Sequence, residues 1–220
     1  MIKKIKQIIT GTPEEASAPD KAEDEDQRII MVDPAMLLGS APPEPDLRIV
    51  GLFGDVQEEK IAELIHGLLM LDEMNKLSEE ENCKPIEFYI STYGGNADDM
   101  FGLYDIIRQI KETSEIHTIG LGKVMSAGVL LLAAGTEGKR KIGKNCRVMI
   151  HSVMGGNHGS LHNMMNELEA IEQLQDMYCD ALIENTKLTR TKLKKMIERK
   201  VNVYLSAEEA VEMGIADIII

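Results

Sequence analysis

The chain has 220 residues, 44% of them hydrophobic, and a formal net charge of -13. That length suffices for one hydrophobic core plus an appendage, and the acidic balance argues against nucleic acid as a partner. The longest apolar run, residues 127–134, falls far short of the roughly 20 residues that span a bilayer, so no membrane role is expected.

The N-terminus is basic at its start but has neither a continuous apolar stretch nor a small-residue cleavage site. It reads poorly as a signal peptide, and the expected address is the cytoplasm. Residues 11–27 are small, acidic and proline-containing, with Glu14, Glu15, Asp20, Glu23, Asp24, Glu25 and Asp26. Such a stretch buries too little apolar area to offset its ordering entropy. A short apolar patch at 29–38 and the stiff segment Ala41-Pro42-Pro43-Glu44-Pro45 follow. The reading is a flexible leader over residues 1–46 and a folded domain over 47–220.

Within that domain strands and helices alternate. Residues 48–53 form a short apolar strand closed by Gly54-Asp55. Residues 56–76 place Ile61, Leu64, Ile65, Leu68, Leu69 and Leu71 at helical spacing. A strand is expected at 85–91, a helix at 97–111, a strand at 115–121 and a compact apolar helix at 126–134. Then come a strand at 147–153, a long helix at 161–187 and a short one at 191–199. A strand at 201–205, a helix at 207–213 and a strand at 216–220 end the chain. The alternation predicts an α/β domain.

Three local features can carry chemistry. Ser126, in Val124-Met125-Ser126-Ala127-Gly128, stands where a strand meets an apolar helix, a position that favours developing negative charge. The same position suits an ordinary N-cap. Gly94 and Gly95 follow the strand at 85–91; their N–H groups can hold an oxyanion, or the pair is simply a tight turn. His151 ends the run Arg147-Val148-Met149-Ile150, on the face shared with Met149, as a base or as a structural histidine. Beyond it, Gly155 and Gly156 belong to a stretch able to pair backbone with an extended peptide. Together these are the parts of a serine hydrolase. Cys83, Cys146 and Cys179 are far apart, without a CxxC pair, so neither a disulfide framework nor a metal site is expected. Cys146 reads as packing. No Walker-type phosphate loop is present, so the chain has no ATP site of its own, and no cofactor is expected.

Several long segments, in order, resemble the proteolytic subunits of Clp proteases. They are Gly51-Leu52-Phe53-Gly54-Asp55, Phe88-Tyr89-Ile90-Ser91-Thr92-Tyr93-Gly94-Gly95 and Met125-Ser126-Ala127-Gly128, the last continuing through Leu131-Leu132-Ala133-Ala134-Gly135 to Gly138-Lys139-Arg140. Further on come Arg147-Val148-Met149-Ile150-His151, Tyr204-Leu205-Ser206-Ala207-Glu208-Glu209-Ala210 and Gly214-Ile215-Ala216-Asp217. The resemblance implies a crotonase-like ββα spiral with a long handle helix, starting at Leu161, through which rings meet. It implies a homo-oligomer of stacked heptameric rings enclosing a proteolytic chamber, and an AAA+ unfoldase that feeds protein substrates inward. It assigns Ser126 as nucleophile, His151 as general base, the Gly95 and Ala127 N–H groups as the oxyanion hole, and Gly94, Gly155 and Gly156 to the substrate groove. The overall texture looks closest to divergent forms carried by some tailed bacteriophages.

The sequence departs from the family pattern at the third catalytic position, where Asn202 stands in place of aspartate. An asparagine carbonyl can orient the imidazole but cannot stabilise its charged form. In trypsin such a change costs about 10⁴ in turnover, so slow but real peptidase activity is expected. Tyr93 occupies a position where proline is usual. Two other readings remain open: a silent ring subunit serving assembly or regulation, and an acyl-CoA enzyme sharing the spiral fold. The last has no need of a hydrogen-bonded Ser126–His151 pair.

Overall fold

A computed structural model describes residues 46–79, 83–156, 158–198 and 202–220. The leader over 1–45 and the apolar patch within it lie outside the described residues. Asp46, read as the leader's last residue, makes ion pairs with Arg48 and Lys84 at the start of the domain.

Strand β1 (Ile49–Phe53) pairs in parallel with β2 (Ile86–Thr92), and β2 with β3 (Ile116–Met125). The crossovers are helices α1 (Glu58–Lys76) and α2 (Ala97–Ile110). Helical periodicity gives α1 its buried stripe Ile61, Leu64 and Leu68, and α2 its stripe Met100, Leu103, Tyr104, Ile107 and Ile110. The Asn96 side chain caps α2 by accepting from the Asp98 and Asp99 N–H groups. Helix α3 (Ala127–Ala133) is buried on every side, as its uniformly apolar sequence requires.

Strand β3 then serves two partners. Its middle pairs with the two-residue β4 (Lys141–Ile142), which pairs with β7 (Ile218–Ile219). Its end pairs with β5 (Arg147–Ile150), in the register Lys123–Arg147, Val124–Val148 and Met125–Met149. Strand β6 (Val203–Leu205) runs antiparallel to β5. Since β2, β3 and β5 are parallel, their carboxyl ends share one edge of the sheet. The turn at Gly94-Gly95, Ser126 and His151 all lie just past those ends, the usual place for a ligand on an open α/β sheet.

The α/β architecture expected from the sequence is present, with differences in extent. β3 runs on to Met125 rather than stopping at 121, because Gly122 takes φ 65° and lets the chain kink and resume pairing. β4 is too short to leave a pattern. β5 ends at Ile150 rather than 153, and past it the Val153 N–H donates to the Gln175 side chain at 2.7 Å instead of to a strand.

Helix α4 (Leu161–Asn185) spans 25 residues, roughly 37 Å at 1.5 Å per residue. Its burial begins at Tyr178; before that, Leu161, Met164, Met165, Leu168 and Met177 stay exposed. Helices α5 (Arg190–Glu198) and α6 (Ala207–Glu212) follow, the latter opened by a capping box of Ser206 and Glu209.

The Gly138-Lys139-Arg140 and Asp217 motifs have a structural reason. Arg140 is buried, donates through Nε and Nη2 to the Asp217 carboxylate at 2.8 and 2.6 Å, and reaches the Ala133 and Asn185 carbonyls. This fork ties the ends of α3 and α4 to the C-terminal strand, and it holds the Asp217 carboxyl below its usual range. Among the described residues no helix is long and apolar enough to cross a membrane.

Candidate active site

Ser126 is the one non-glycine residue with positive φ among those described, at φ 53° and ψ -121°. That lies outside the regions open to L-residues and costs on the order of 1–3 kcal/mol. Three hydrogen bonds hold it there. The Ser126 N–H donates to the Met149 carbonyl at 2.8 Å, tying the residue to β5. The Ser126 carbonyl accepts from the Val129 N–H and from the Tyr178 hydroxyl, both at 3.0 Å. Burial pushes the Tyr178 phenol well above its usual range, so it stays a donor.

The strain aims the side chain. The Ser126 hydroxyl makes no capping bond to α3, so the N-cap alternative does not hold. Instead Oγ lies 2.8 Å from His151 Nε2. Half-burial lowers the His151 pKa below its ordinary 6.5, and no carboxylate opposes that shift. The imidazole is therefore neutral at pH 7, as a proton acceptor must be.

The glycine pair abuts the serine. A Cβ on Gly94 would lie 2.6 Å from Ser126 Cβ and 3.1 Å from its Oγ. A Cβ on Gly95 would lie 2.2 Å from the Val56 carbonyl oxygen, a backbone atom that cannot swing aside. This turn is latched to the start of α1: the Val56 N–H donates to the Gly94 carbonyl at 2.8 Å, and the Asn96 N–H to the Val56 carbonyl at 3.0 Å. The latch leaves the Gly95 N–H unused. The Ala127 N–H, first in α3, has no intrahelical acceptor. Gly95→Ala is expected to destabilise the protein by about 1–3 kcal/mol through overpacking and to cut turnover by about 10² through loss of a donor's placement. Thermal melts and kcat on the same preparation check this.

Ser126, His151, Gly95, Ala127, Gly155, Gly156 and Asn202 line one cavity of about 840 Å³, together with Met125, Met149, Ile171 and Leu174. Gly155 is fitted against α4: a Cβ there would meet Ile171 Cδ1 at 2.4 Å. Asn202 is exposed and sits one step past Ile150–Val203, the last pair of β5 with β6, which brings it beside His151. Among the described residues no hydrogen bond joins the two. Cys146 is buried with its thiol pushed up to about 11, so it offers no competing nucleophile. No group of His, Cys, Asp and Glu that could hold a metal occurs among the described residues.

Residues 45–220 match the Clp protease family model. The chain is 32% identical over 173 residues to the ATP-dependent Clp protease proteolytic subunit 1 of Prochlorococcus marinus (strain MIT 9312), covering 79% of this chain and 84% of that protein. It is 34% identical over 174 residues to proteolytic subunit 3 of Synechococcus sp. (strain CC9902), covering 79% and 82%. The chain belongs to the Clp protease family.

As a family member it carries three site residues that local sequence patterns do not reveal. Tyr178 and Gln175, on α4, hold the Ser126 carbonyl and the segment after His151. The signal available was only polar character at two positions of an otherwise apolar helix stripe. Lys123 stands on β3 in register with Arg147 of β5, which lines the cavity; nothing near it in sequence announces that neighbour.

Proposed function

We propose that this chain is a serine endopeptidase acting on unfolded polypeptides, with Ser126, His151 and Asn202 as its catalytic set. The observation that carries the reading is the 2.8 Å Oγ–Nε2 contact made by a serine held in a strained backbone. His151 Nε2 takes the hydroxyl proton as Oγ attacks the peptide carbonyl carbon. The Gly95 and Ala127 N–H groups receive the negative charge on oxygen. The imidazolium returns its proton to the leaving amine, and a water deprotonated by the same nitrogen releases the acyl group. For this Nε2 must be the bare nitrogen, with Nδ1 bearing the proton. Asn202 accepts that proton's hydrogen bond through its side-chain carbonyl when a peptide fills the cavity.

The exposed methionine- and leucine-bearing face of α4 supports assembly into stacked rings, since such a face needs a partner surface. The relatives named as ATP-dependent subunits support an ATPase partner that supplies unfolded chains.

The 2.8 Å pair disfavours the acyl-CoA alternative, which does not use it. The unmade Asn202–His151 hydrogen bond favours one rival, a catalytically silent ring subunit. A fluorophosphonate probe separates the two. It is expected to label Ser126, at a rate that rises with pH through a limb centred below 6.5, since His151 must lose its proton to act and its burial lowers the pKa. Protein that assembles yet stays unlabelled at every pH would establish the silent subunit instead.

A further inference from the structure

Four side chains stand in a row drawn from four neighbouring segments, and three of them, Tyr93, Arg147 and Tyr204, line the cavity. Tyr93 follows β2, Lys123 lies on β3, Arg147 on β5 and Tyr204 on β6. Lys123 Nζ stands over the Tyr93 ring, 4.6 Å from its centroid, and Arg147 Cζ over the Tyr204 ring at 4.7 Å. The two cations are register partners in the parallel β3–β5 ladder. Like charges directly opposite each other destabilise a sheet. In a chain of net charge -13, carboxylates to separate them are plentiful, yet among the described residues neither cation has an ion pair with one. The two acidic residues at the cavity, Asp98 and Glu167, come from α2 and α4 and pair with neither. The rings instead hold both cations in place without neutralising them.

The next residues along the same strand faces are Met125 and Met149, also register partners, and then the strand ends at Ser126 and His151. The sheet surface leading away from the nucleophile is thus apolar for one row and doubly positive in the next. At about 3.3 Å of rise per residue, the cations lie roughly 10 Å from the nucleophile along the strand. A side chain on one of the few residues before the scissile bond reaches that far.

We propose that Lys123 and Arg147 form a carboxylate-reading subsite, which makes the enzyme favour substrates carrying glutamate at one of the three positions before the bond to be cut. The inference rests on the peptidase reading for what lies in the cavity, and its test is built on binding so that the two can fail separately. The methylenes of glutamate lie over Met125 and Met149, and its carboxylate meets the ammonium and guanidinium. Tyr93 and Tyr204 are 64% and 47% exposed, so the subsite is wet and its gain is modest.

The experiment uses the full-length Ser126→Ala protein, whose residual turnover is too slow to consume peptide during a titration. Fluorescent peptides identical except for Glu or Gln at each of the three positions before the scissile bond are titrated by polarisation. At one position Glu is expected to bind roughly three- to tenfold more tightly than Gln at low salt, with the ratio falling as ionic strength rises. Lys123→Met, which keeps the stem and removes the charge, is expected to bring the ratio close to one, as is Arg147→Met if it folds. Equal binding of Glu and Gln peptides at all three positions would overturn the proposal, as would a preference that persists in Lys123→Met. Fluorophosphonate labelling of the unmodified protein reports the peptidase reading on its own. Labelled protein with no Glu preference rejects the subsite alone, and a Glu preference in unlabelled protein keeps the subsite as a peptide-binding feature.

Discussion

Exchanging Ser126 for alanine is expected to lower peptide turnover by at least a hundredfold, with His151→Ala equally damaging and the double variant no worse than either. The three changes coincide because the groups act as one unit: without the hydroxyl there is nothing to deprotonate, and without the imidazole nothing removes the proton. The loss should leave a residue of activity, because the Gly95 and Ala127 N–H groups still favour an oxyanion formed by attack of water. Ser126→Ala is also expected to keep its fold. Its hydroxyl makes no structural bond beyond the one to His151, while the backbone bonds to Met149, Val129 and Tyr178 persist. Steady-state rates on a short fluorogenic peptide, beside circular dichroism, decide the matter. Retention of more than a tenth of the parent rate would remove Ser126 from the mechanism.

Asn202→Asp is expected to raise turnover by tenfold or more and to move the acid limb of its pH profile to higher pH. Both effects have one source. His151 now has its pKa lowered by burial alone, and a carboxylate at residue 202 would stabilise the imidazolium that forms as Oγ gives up its proton. The ceiling is about 10⁴, the cost of the reverse change in trypsin. The gain should fall below it, because Asn202 is exposed and a charge there is partly screened by water. The two predictions are linked. In serine peptidases a complete set of three is worth about 10⁶ together, so the gain from Asn202→Asp multiplied by the loss from Ser126→Ala in the unmodified protein should approach that figure. A profile unchanged in height and in acid limb would show that Asn202 has no hold on His151.

Much of the scaffold was legible before any coordinates. The apolar residues of α1 and α2 fall at helical spacing because a helix packed on a sheet must present one continuous stripe to it, and Ile61, Leu64, Leu68, Met100, Leu103 and Ile107 are buried accordingly. The uniformly apolar run of α3 announced burial on all sides. By contrast β4 forms with two residues because β3 and β7 flank it, and β3 outruns its expected end because β5 offers new partners beyond Gly122. Neither cause is local.

The same division runs through the site. The sequence by itself determined the candidates: a serine at a strand end, a glycine pair and a histidine past strand ends, and a family resemblance that ordered them. It could not choose between an N-cap and a nucleophile for Ser126, since the two differ only in what the hydroxyl faces. Its partner is 25 residues away and the tyrosine bracing its carbonyl 52 away. Parallel pairing of β2, β3 and β5 brings three strand ends to one edge, so that the Ser126 hydroxyl faces His151 rather than capping α3, and it sets Lys123 against Arg147. Local propensity is written in neighbours along the chain, whereas proton transfer and charge recognition need groups a few ångströms apart in space, and only the closing of the sheet supplies those.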